Sequence, residues 1–256
     1  MSAGPMKALG RGFDRVADAY DAGRPSYPDE MYRALAEISG IDLDGATTVD
    51  VGAGTGIHTR ALRVRGSRVV ALDPGAEMLA RLVSRSEDGP PAVAAVLGDG
   101  NALPLADGAA DLVTYAQSWH WLDPVASIAE ARRVLRPRGA IAGCWNFAHA
   151  AQAEWLAAYE ARLAARVPAY CGPAVEQWSA PPIASAFEVI EERWIPWTRL
   201  VGVEDFLLGL RSYSYMAALP PDAADELVER QRAELRREFP EGVLSVPMRV
   251  YLAVGR

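Results

Sequence analysis

Three glycines in the segment VDVGAGTGIHTRAL, residues 49–62, are spaced so that they could form a turn whose backbone contacts a ligand. Gly52, Gly54 and Gly56 lie between an apolar stretch typical of a buried strand and a stretch with helical periodicity. A glycine-rich turn at such a place lets backbone N–H groups approach a ligand closely. The segment therefore predicts a ligand-binding turn, and the alternative is an ordinary tight connection between strand and helix.

The spacing of these glycines narrows the choice of ligand. Dinucleotide-binding turns follow the pattern G-x-G-x-x-G, and here Ile57 stands where the third glycine belongs. No Gly-Lys-Ser/Thr follows the turn, so a Walker-type phosphate loop is excluded. A pyrophosphate site is disfavoured, and with it an NAD-dependent oxidoreductase, which stays an alternative.

Two acidic residues end the next two predicted strands. Asp73 ends VVALD, where a carboxylate can accept hydrogen bonds from both hydroxyls of a ribose. Asp99 ends AVAAVLGD, where a carboxylate can accept from the exocyclic amine of adenine. Met78, on the helix after Asp73, could pack its thioether on the adenine. The alternatives are turn or helix caps for the two acids and core packing for Met78.

These residues need a parallel sheet to bring them together. Short apolar runs alternate with helical patterns as far as residue 146, which predicts a Rossmann-like, doubly wound α/β sheet with strands buried on both faces. The predicted strands cover residues 47–52, 67–73, 92–99, 110–118, 139–146, 187–198 and 243–256. We expect a single domain made of an N-terminal helical lid (1–46), a cofactor-binding core (47–146), helical substrate-side additions over the sheet edge (147–242) and a terminal strand (243–256).

Helical periodicity identifies the faces that should be buried. Met31, Leu35 and Ile38 share one face of a predicted helix before the first strand. Asp123 and Pro124 open another helix as its N-cap and first residue, and that helix should stop at Pro137–Gly139.

The composition limits the partners. The 256 residues carry a formal net charge of −7, which argues against a nucleic-acid partner. No apolar run approaches the ~18 residues of a membrane-spanning helix, and the first residues show no secretion signal. Two cysteines fit a reducing compartment, and no Cys/His cluster has zinc spacing. We expect a cytoplasmic protein that binds a small molecule and no metal.

Four segments, taken in order, resemble the class I S-adenosylmethionine-dependent methyltransferases: VDVGAGTG, ALDPGAEML, GDGNALPLADGAADLV and EARRVLRPRGAIAGCW. FDRVADAYDAGRPSYP and LRSYSYMAAL are similar to the small-molecule branch of methyltransferase type 11 and trans-aconitate methyltransferase-like proteins. The resemblance covers most of the chain. It implies a seven-stranded sheet with the last strand antiparallel, with S-adenosylmethionine as cofactor and S-adenosylhomocysteine as product.

The resemblance also implies the cofactor contacts. The glycine turn would meet the methionine part, Asp73 the ribose and Asp99 the adenine, while Asp50 could hold the ammonium directly or through water. Because this cofactor has no pyrophosphate, Ile57 is no obstacle. The expected cofactor-binding set is Tyr20, Asp50, Gly52, Ala53, Gly54, Gly56, Asp73, Pro74, Met78, Asp99, Gly100, Asn101, Gln117 and Ser118.

The stretch YAQSWHWLDP at the end of the fourth predicted strand would face the substrate. His120 is the candidate general base because its unperturbed pKa is near neutrality. The alternative is that His120 and its two tryptophan neighbours only pack together. Arg24 and Arg211 could pair with a carboxylated acceptor. The expected substrate-binding set is Tyr20, Arg24, Tyr27, Trp119, His120, Trp121, Trp145, Arg211, Tyr213 and Tyr215.

The sequence thus predicts methyl transfer from S-adenosylmethionine to O, N or C of a small metabolite by in-line displacement. A non-catalytic cofactor-binding or assembly protein on the same fold is the alternative from another class. The sequence indicates neither the acceptor nor the oligomeric state.

Overall fold

The computed structural model describes residues 23–86, 93–170 and 187–256. Within these ranges the chain divides into two compact units. The core unit contains residues 26–86, 93–146, 187–195 and 250–256, and the added unit contains residues 23–25, 147–170 and 196–249. Tyr20, which was expected to contact cofactor and substrate, lies outside the described residues.

The helices and strands follow one another along the chain as the alternating pattern predicts. The helices are α1 (Asp29–Ser39), α2 (Ile57–Val64), α3 (Ala76–Ser84), α4 (Pro124–Val134), α5 (Glu154–Ala164), α6 (Val203–Arg211), α7 (Ser214–Ala217) and α8 (Pro221–Glu238). The strands are β1 (Thr47–Val51), β2 (Arg68–Asp73), β3 (Ala94–Leu97), β4 (Ala110–Ala116), β5 (Leu135–Ala148), β6 (Val189–Gly202) and β7 (Val243–Gly255). Short 3-10 turns in the described residues cover Trp119–Trp121 and Ala150–Gln152.

The described strands form one seven-stranded sheet in the order β3-β2-β1-β4-β5-β7-β6. β1 pairs in parallel with β2 on one side and with β4 on the other. The last strand, β7, is antiparallel, and just beyond the paired ends of β6 and β7 Glu188 and Arg256 exchange both backbone hydrogen bonds. The strand order reverses between β1 and β4, and open α/β sheets bind ligands at the carboxyl ends of their strands beside such a reversal. The predicted Rossmann-like sheet is confirmed.

Burial separates the central strands from the edge. Val49 and Val51 in β1 are each 1% exposed, as expected for a strand covered on both faces. In β3 the same apolar character does not bring burial, and Leu97 is 61% exposed. The difference arises because β3 lies at one edge of the sheet, where β2 is its one neighbour among the described strands.

Two helices show how far local signals determine structure. The face of α1 with Met31, Leu35 and Ile38 is buried, which confirms the predicted periodicity. Asp123 caps α4 by accepting hydrogen bonds from the backbone of the next turn, as predicted. However, α4 ends at Val134, before the expected Pro137–Gly139. Pro137 disfavours the helical conformation at Arg136, and the chain leaves the helix one residue before that, because Leu135 is already extended and begins β5.

The added unit has its own apolar core, built from α5, α6, α8 and β7. Tyr159 and Leu163 of α5 are 6% and 1% exposed. Trp155 packs edge-on against Phe239, with ring centroids 5.2 Å apart. No helix in the described part of the chain combines the length and the apolar character needed to cross a membrane.

Candidate functional site

The glycine turn 52–56 joins β1 to α2, and its three glycines have φ of +73°, +56° and +87°. A Cβ on Gly52 would lie 2.4 Å from the Cβ of Ser118, and a Cβ on Gly56 would lie 2.7 Å from the Cγ of Leu82. A Cβ on Gly54 would meet no described atom within 4 Å. Packing therefore explains two of the glycines, and the third leaves the backbone open on one side.

The carboxylate of Asp73, at the end of β2, lies against this turn. Its Oδ2 accepts a hydrogen bond from the backbone N–H of Gly54, and its Oδ1 accepts from the N–H of Gly75, each at 2.8 Å. Asp73 is 9% exposed. An ionised carboxylate is an acceptor of the kind that the hydroxyl groups of a ribose can donate to.

Asp99, Gly100 and Asn101 form a turn after β3. Oδ1 of Asp99 accepts from the backbone N–H and from the side-chain amide of Asn101, each at 2.9 Å. Oδ1 of Asn101 accepts from the backbone N–H of Asp123 at 2.8 Å. A Cβ on Gly100 would lie 2.6 Å from Cγ1 of Val51. The turn is thus tied to the start of α4 and packed against the end of β1.

Asp50 is fully buried beneath the glycine turn. Its Oδ2 accepts from Oγ1 of Thr59 at 2.6 Å, and its Oδ1 accepts from Oγ1 of Thr114 at 3.4 Å. These bonds join β1 to α2 and β4. Because Asp50 has no exposed surface, direct contact with a ligand ammonium does not fit this geometry, which leaves the contact through water.

The other expected cofactor residues around β2 have different environments. Ala53 donates its backbone N–H to the carbonyl of Leu72 at 3.0 Å, which fixes the turn beside β2. Met78 is 5% exposed on α3, so its surroundings agree with the core-packing alternative. Pro74 is exposed directly after Asp73.

Gln117 and Ser118 follow β4. Gln117 has φ of +58°, a left-handed conformation that non-glycine residues rarely adopt. Its backbone N–H donates to the carbonyl of Cys144, and its amide donates to the carbonyl of Asn146, both at 2.9 Å. The Oγ of Ser118 donates to the carbonyl of Val51. Strained residues of this kind are held in place where a site needs them.

The expected aromatic contacts differ in exposure. Trp119 is 2% exposed, and its indole N–H donates to Oγ of Ser127 at 3.0 Å. Trp145 has no exposed surface. In this structure both are core residues, because neither ring offers surface to a substrate. Trp121 is half-buried and packs on His120 with ring centroids 4.7 Å apart.

His120 has a defined tautomer. The indole N–H of Trp145 donates to its Nδ1 at 3.2 Å. A neutral imidazole whose Nδ1 accepts carries its proton on Nε2. Burial lowers the pKa of His120 from 6.5 to about 4. At neutral pH the ring is therefore uncharged, and this arrangement favours a hydrogen-bond donor at Nε2 over a general base.

His58, which is in neither of the expected sets of site residues, contacts two tyrosines at the start of α2. Its Nδ1 lies 3.1 Å from the hydroxyl of Tyr32, on which the ring stacks, and Tyr27 packs edge-on against it at 5.6 Å. Burial lowers the pKa of His58. Its Nε2 is buried without a hydrogen-bond partner among the described residues. The signal was the position of His58 in the first turn of α2.

The remaining expected substrate contacts lie in the added unit. The Nε of Arg24 donates to Oγ of Ser212 at 3.0 Å, and its guanidinium lies 4.1 Å from the centre of the Tyr213 ring. Tyr213 and Tyr215 stack with centroids 5.1 Å apart. Arg211 pairs with Asp225 at 2.6 Å. The structure brings Arg24 together with Tyr213, whereas the Arg211 guanidinium is engaged by Asp225.

The core-unit residues fit S-adenosylmethionine. The open side of Gly54 admits a ligand, and Asp73 supplies acceptors beside it. Ile57 occupies the position at which a pyrophosphate-binding turn has its third glycine. Among the residues the structure describes, no group of three or more His, Cys, Asp or Glu is placed to hold a metal.

The parallel sheet reversing at β1, the glycine turn and the acid ending β2 together have the architecture of the class I S-adenosylmethionine-dependent methyltransferases. Residues 49–143 match the family model described as a methyltransferase domain. This confirms the predicted class and its cofactor.

Known proteins agree with this assignment. An uncharacterized methyltransferase of Mycobacterium tuberculosis is 42% identical over 134 residues, which are 52% of this chain and 51% of that protein. An uncharacterized methyltransferase-like protein of Schizosaccharomyces pombe is 29% identical over 224 residues, 86% of this chain and 82% of that protein. A structure from Anaeromyxobacter dehalogenans, described as a type II methyltransferase, matches with a TM-score of 0.68 at 22% identity over 91% of this chain and 97% of its own. The chain spans about half the length of the mycobacterial relative.

Proposed function

We propose that this protein transfers a methyl group from S-adenosylmethionine to O, N or C of a small metabolite and releases S-adenosylhomocysteine. The observation that carries the proposal is the contact of Asp73 with Gly54, which places a carboxylate beside the open side of the turn. When bound, S-adenosylmethionine supplies a methyl group already activated on a sulfonium.

The arrangement of the core-unit residues supports the proposed cofactor contacts. The glycine turn presents backbone to the methionine part, Asp73 accepts from the ribose, and the 99–101 turn lies toward the adenine. Asp50 positions the turn through Thr59, because its own carboxylate is buried. Gln117 and Ser118 hold the end of β4 against β1 and β5.

The protein's contribution to methyl transfer is mainly orientation and exclusion of water, since the electrophile is activated in advance. Orientation alone can supply roughly 7–11 kcal/mol. The role of His120 as a general base remains a prediction. The tautomer that carries its proton on Nε2 does not favour that role.

On the acceptor side, the proposal draws on Tyr27 and Trp121 of the core unit. A small, partly apolar acceptor suits these aromatic rings. The net charge of −7 supports a small molecule over a nucleic acid, and the two cysteines support a cytoplasmic location.

Calorimetric titration with S-adenosylhomocysteine tests the proposal first. We expect saturable binding at micromolar concentrations, and no heat at tens of micromolar would overturn it. Turnover of S-adenosylmethionine labelled in the methyl group, with a panel of metabolites, then separates the enzyme from a non-catalytic binding protein. Enhanced NADH fluorescence on addition of the protein would favour an oxidoreductase instead.

A further inference from the structure

Glu160 is a buried carboxyl group in the added unit that the site described above does not use. It lies on the buried face of α5 with Leu156, Tyr159 and Leu163. Glu160 is 6% exposed, and its Oε2 has no hydrogen-bond partner among the described residues. A carboxyl group in such a position is costly unless something supplies it with a donor.

The described residues offer Glu160 no cation. Arg162, two positions along the same helix, donates instead to Oε1 of Gln231 at 2.8 Å. No ion pair of Glu160 occurs in the part of the chain that the structure describes, and burial raises its pKa to about 7. The group is therefore an acceptor that its own surroundings leave unsatisfied.

Tyrosine rings surround this part of the added unit. Tyr170 and Tyr215 meet edge-on with centroids 5.0 Å apart, and Tyr215 stacks on Tyr213. The charge of Glu160 contributes to raising the pKa of both Tyr159 and Tyr170. We call Tyr159, Tyr170, Tyr213 and Tyr215 the tyrosine cluster.

The tyrosine cluster adjoins one cationic side chain and one carboxyl group. At the Tyr213 end the guanidinium of Arg24 lies over the ring, held by Ser212. The carboxyl group of Glu160, which follows Tyr159 along α5, has no cation among the described residues. Aromatic faces attract cations, and an ammonium group carries the N–H donors that Oε2 lacks.

We propose that Glu160 and the tyrosine cluster bind the ammonium group of a small aromatic amine within the added unit. The carboxylate pairs with the ammonium, and the rings cover the adjoining carbon atoms. Glu160 thereby selects amines over alcohols of the same shape.

The test compares benzylamine with benzyl alcohol, which has nearly the same shape and no charge. Both are titrated by calorimetry into the full chain at pH 8, with and without S-adenosylhomocysteine. We expect the wild type to bind benzylamine at least about ten-fold more tightly than the alcohol, and Glu160→Gln to lose that preference. Glu154→Gln, an exposed glutamate on the same helix, is the matched control and should keep it.

The outcomes separate this inference from the proposed function. If Glu160→Gln binds benzylamine as tightly as the wild type, or if the wild type shows no preference for the amine, the inference is overturned. The proposed function then still stands wherever S-adenosylhomocysteine binds. If S-adenosylhomocysteine fails to bind while the amine preference depends on Glu160, the amine site stands and the methyltransferase proposal fails. Thermal unfolding of each variant confirms that it is folded.

Discussion

The Oδ2 atom of Asp73 lies 2.8 Å from the backbone nitrogen of Gly54, so the last residue of β2 holds the middle of the glycine turn after β1. Two neighbouring parallel strands are thus joined at their carboxyl ends through one carboxylate. The same carboxylate also holds the start of the segment leading into α3, through Gly75. A ligand bound at the turn therefore meets an acid whose position is already fixed.

Replacing Asp73 with Ala removes the acceptor expected for the ribose and the bond that holds Gly54. We expect the affinity for S-adenosylhomocysteine to fall by about 1–3 kcal/mol, the range for one buried charged hydrogen bond. Calorimetric titration measures the change. Asp107→Ala is the control, because that aspartate pairs with Arg133 at the surface. An unchanged affinity in Asp73→Ala would show that the cofactor lies elsewhere.

Gly54→Ala tests whether the open side of the turn is the ligand site. The new methyl group meets no described atom, so the fold should lose only about 1–2 kcal/mol for the left-handed backbone. Filling the space should nevertheless weaken S-adenosylhomocysteine binding at least about ten-fold. Gly45→Ala is matched in strain, with φ of +78° and no atom within 4 Å, and should bind normally. Equal affinities in the two variants would contradict the prediction.

Gly52→Ala should damage the fold itself. Its Cβ would lie 2.4 Å from the Cβ of Ser118, so overpacking adds to the strain of a positive φ. We expect the free energy of unfolding to fall by about 2–4 kcal/mol in urea denaturation. A loss no larger than that of Gly45→Ala would mean that the end of β4 can shift freely.

The sequence anticipates those parts of the molecule that local patterns determine. The alternation of apolar runs located β1 and β2, and the spacing of Met31, Leu35 and Ile38 located the buried face of α1. The glycine turn and Asp73 identified the class because both can be recognised from residue types. A turn with positive φ favours glycine, and an acid after an apolar run marks the end of a strand.

Features that depend on contacts between distant segments of the chain could not be predicted from local residue patterns. The left-handed Gln117 is held by the backbone of residues 144 and 146. The core positions of Trp119 and Trp145 depend on partners elsewhere in the fold, as does the tautomer of His120. Residue type does not show whether a tryptophan lines a site or packs in the core, so only the fold distinguishes these two environments.

His120 should remain neutral well below its ordinary pKa. Because burial lowers its folded-state pKa from 6.5 to about 4, the unfolded chain takes up the proton first as pH falls. The resulting stability is complete above about pH 6.5 and is lost as pH falls through about 4. Between pH 7 and pH 5 the wild type should lose about 2 kcal/mol more than His120→Gln in urea denaturation. Histidine nitrogen NMR should show a protonated Nε2, and titration of this ring near pH 6.5 would contradict the prediction.

Glu160 should make the protein less stable as pH rises. Burial raises its folded-state pKa from 4.5 to about 7, so the folded chain holds this proton more tightly than the unfolded chain. The free energy of unfolding therefore falls between about pH 4.5 and pH 7, by about 2–3 kcal/mol, and is level above that window. Glu160→Gln lacks the titrating group, so it should equal the wild type near pH 4.5 and exceed it at pH 8. Urea denaturation at the two pH values, with Glu154→Gln as control, measures the difference, and parallel behaviour of all three proteins would show that Glu160 ionises as it does in water.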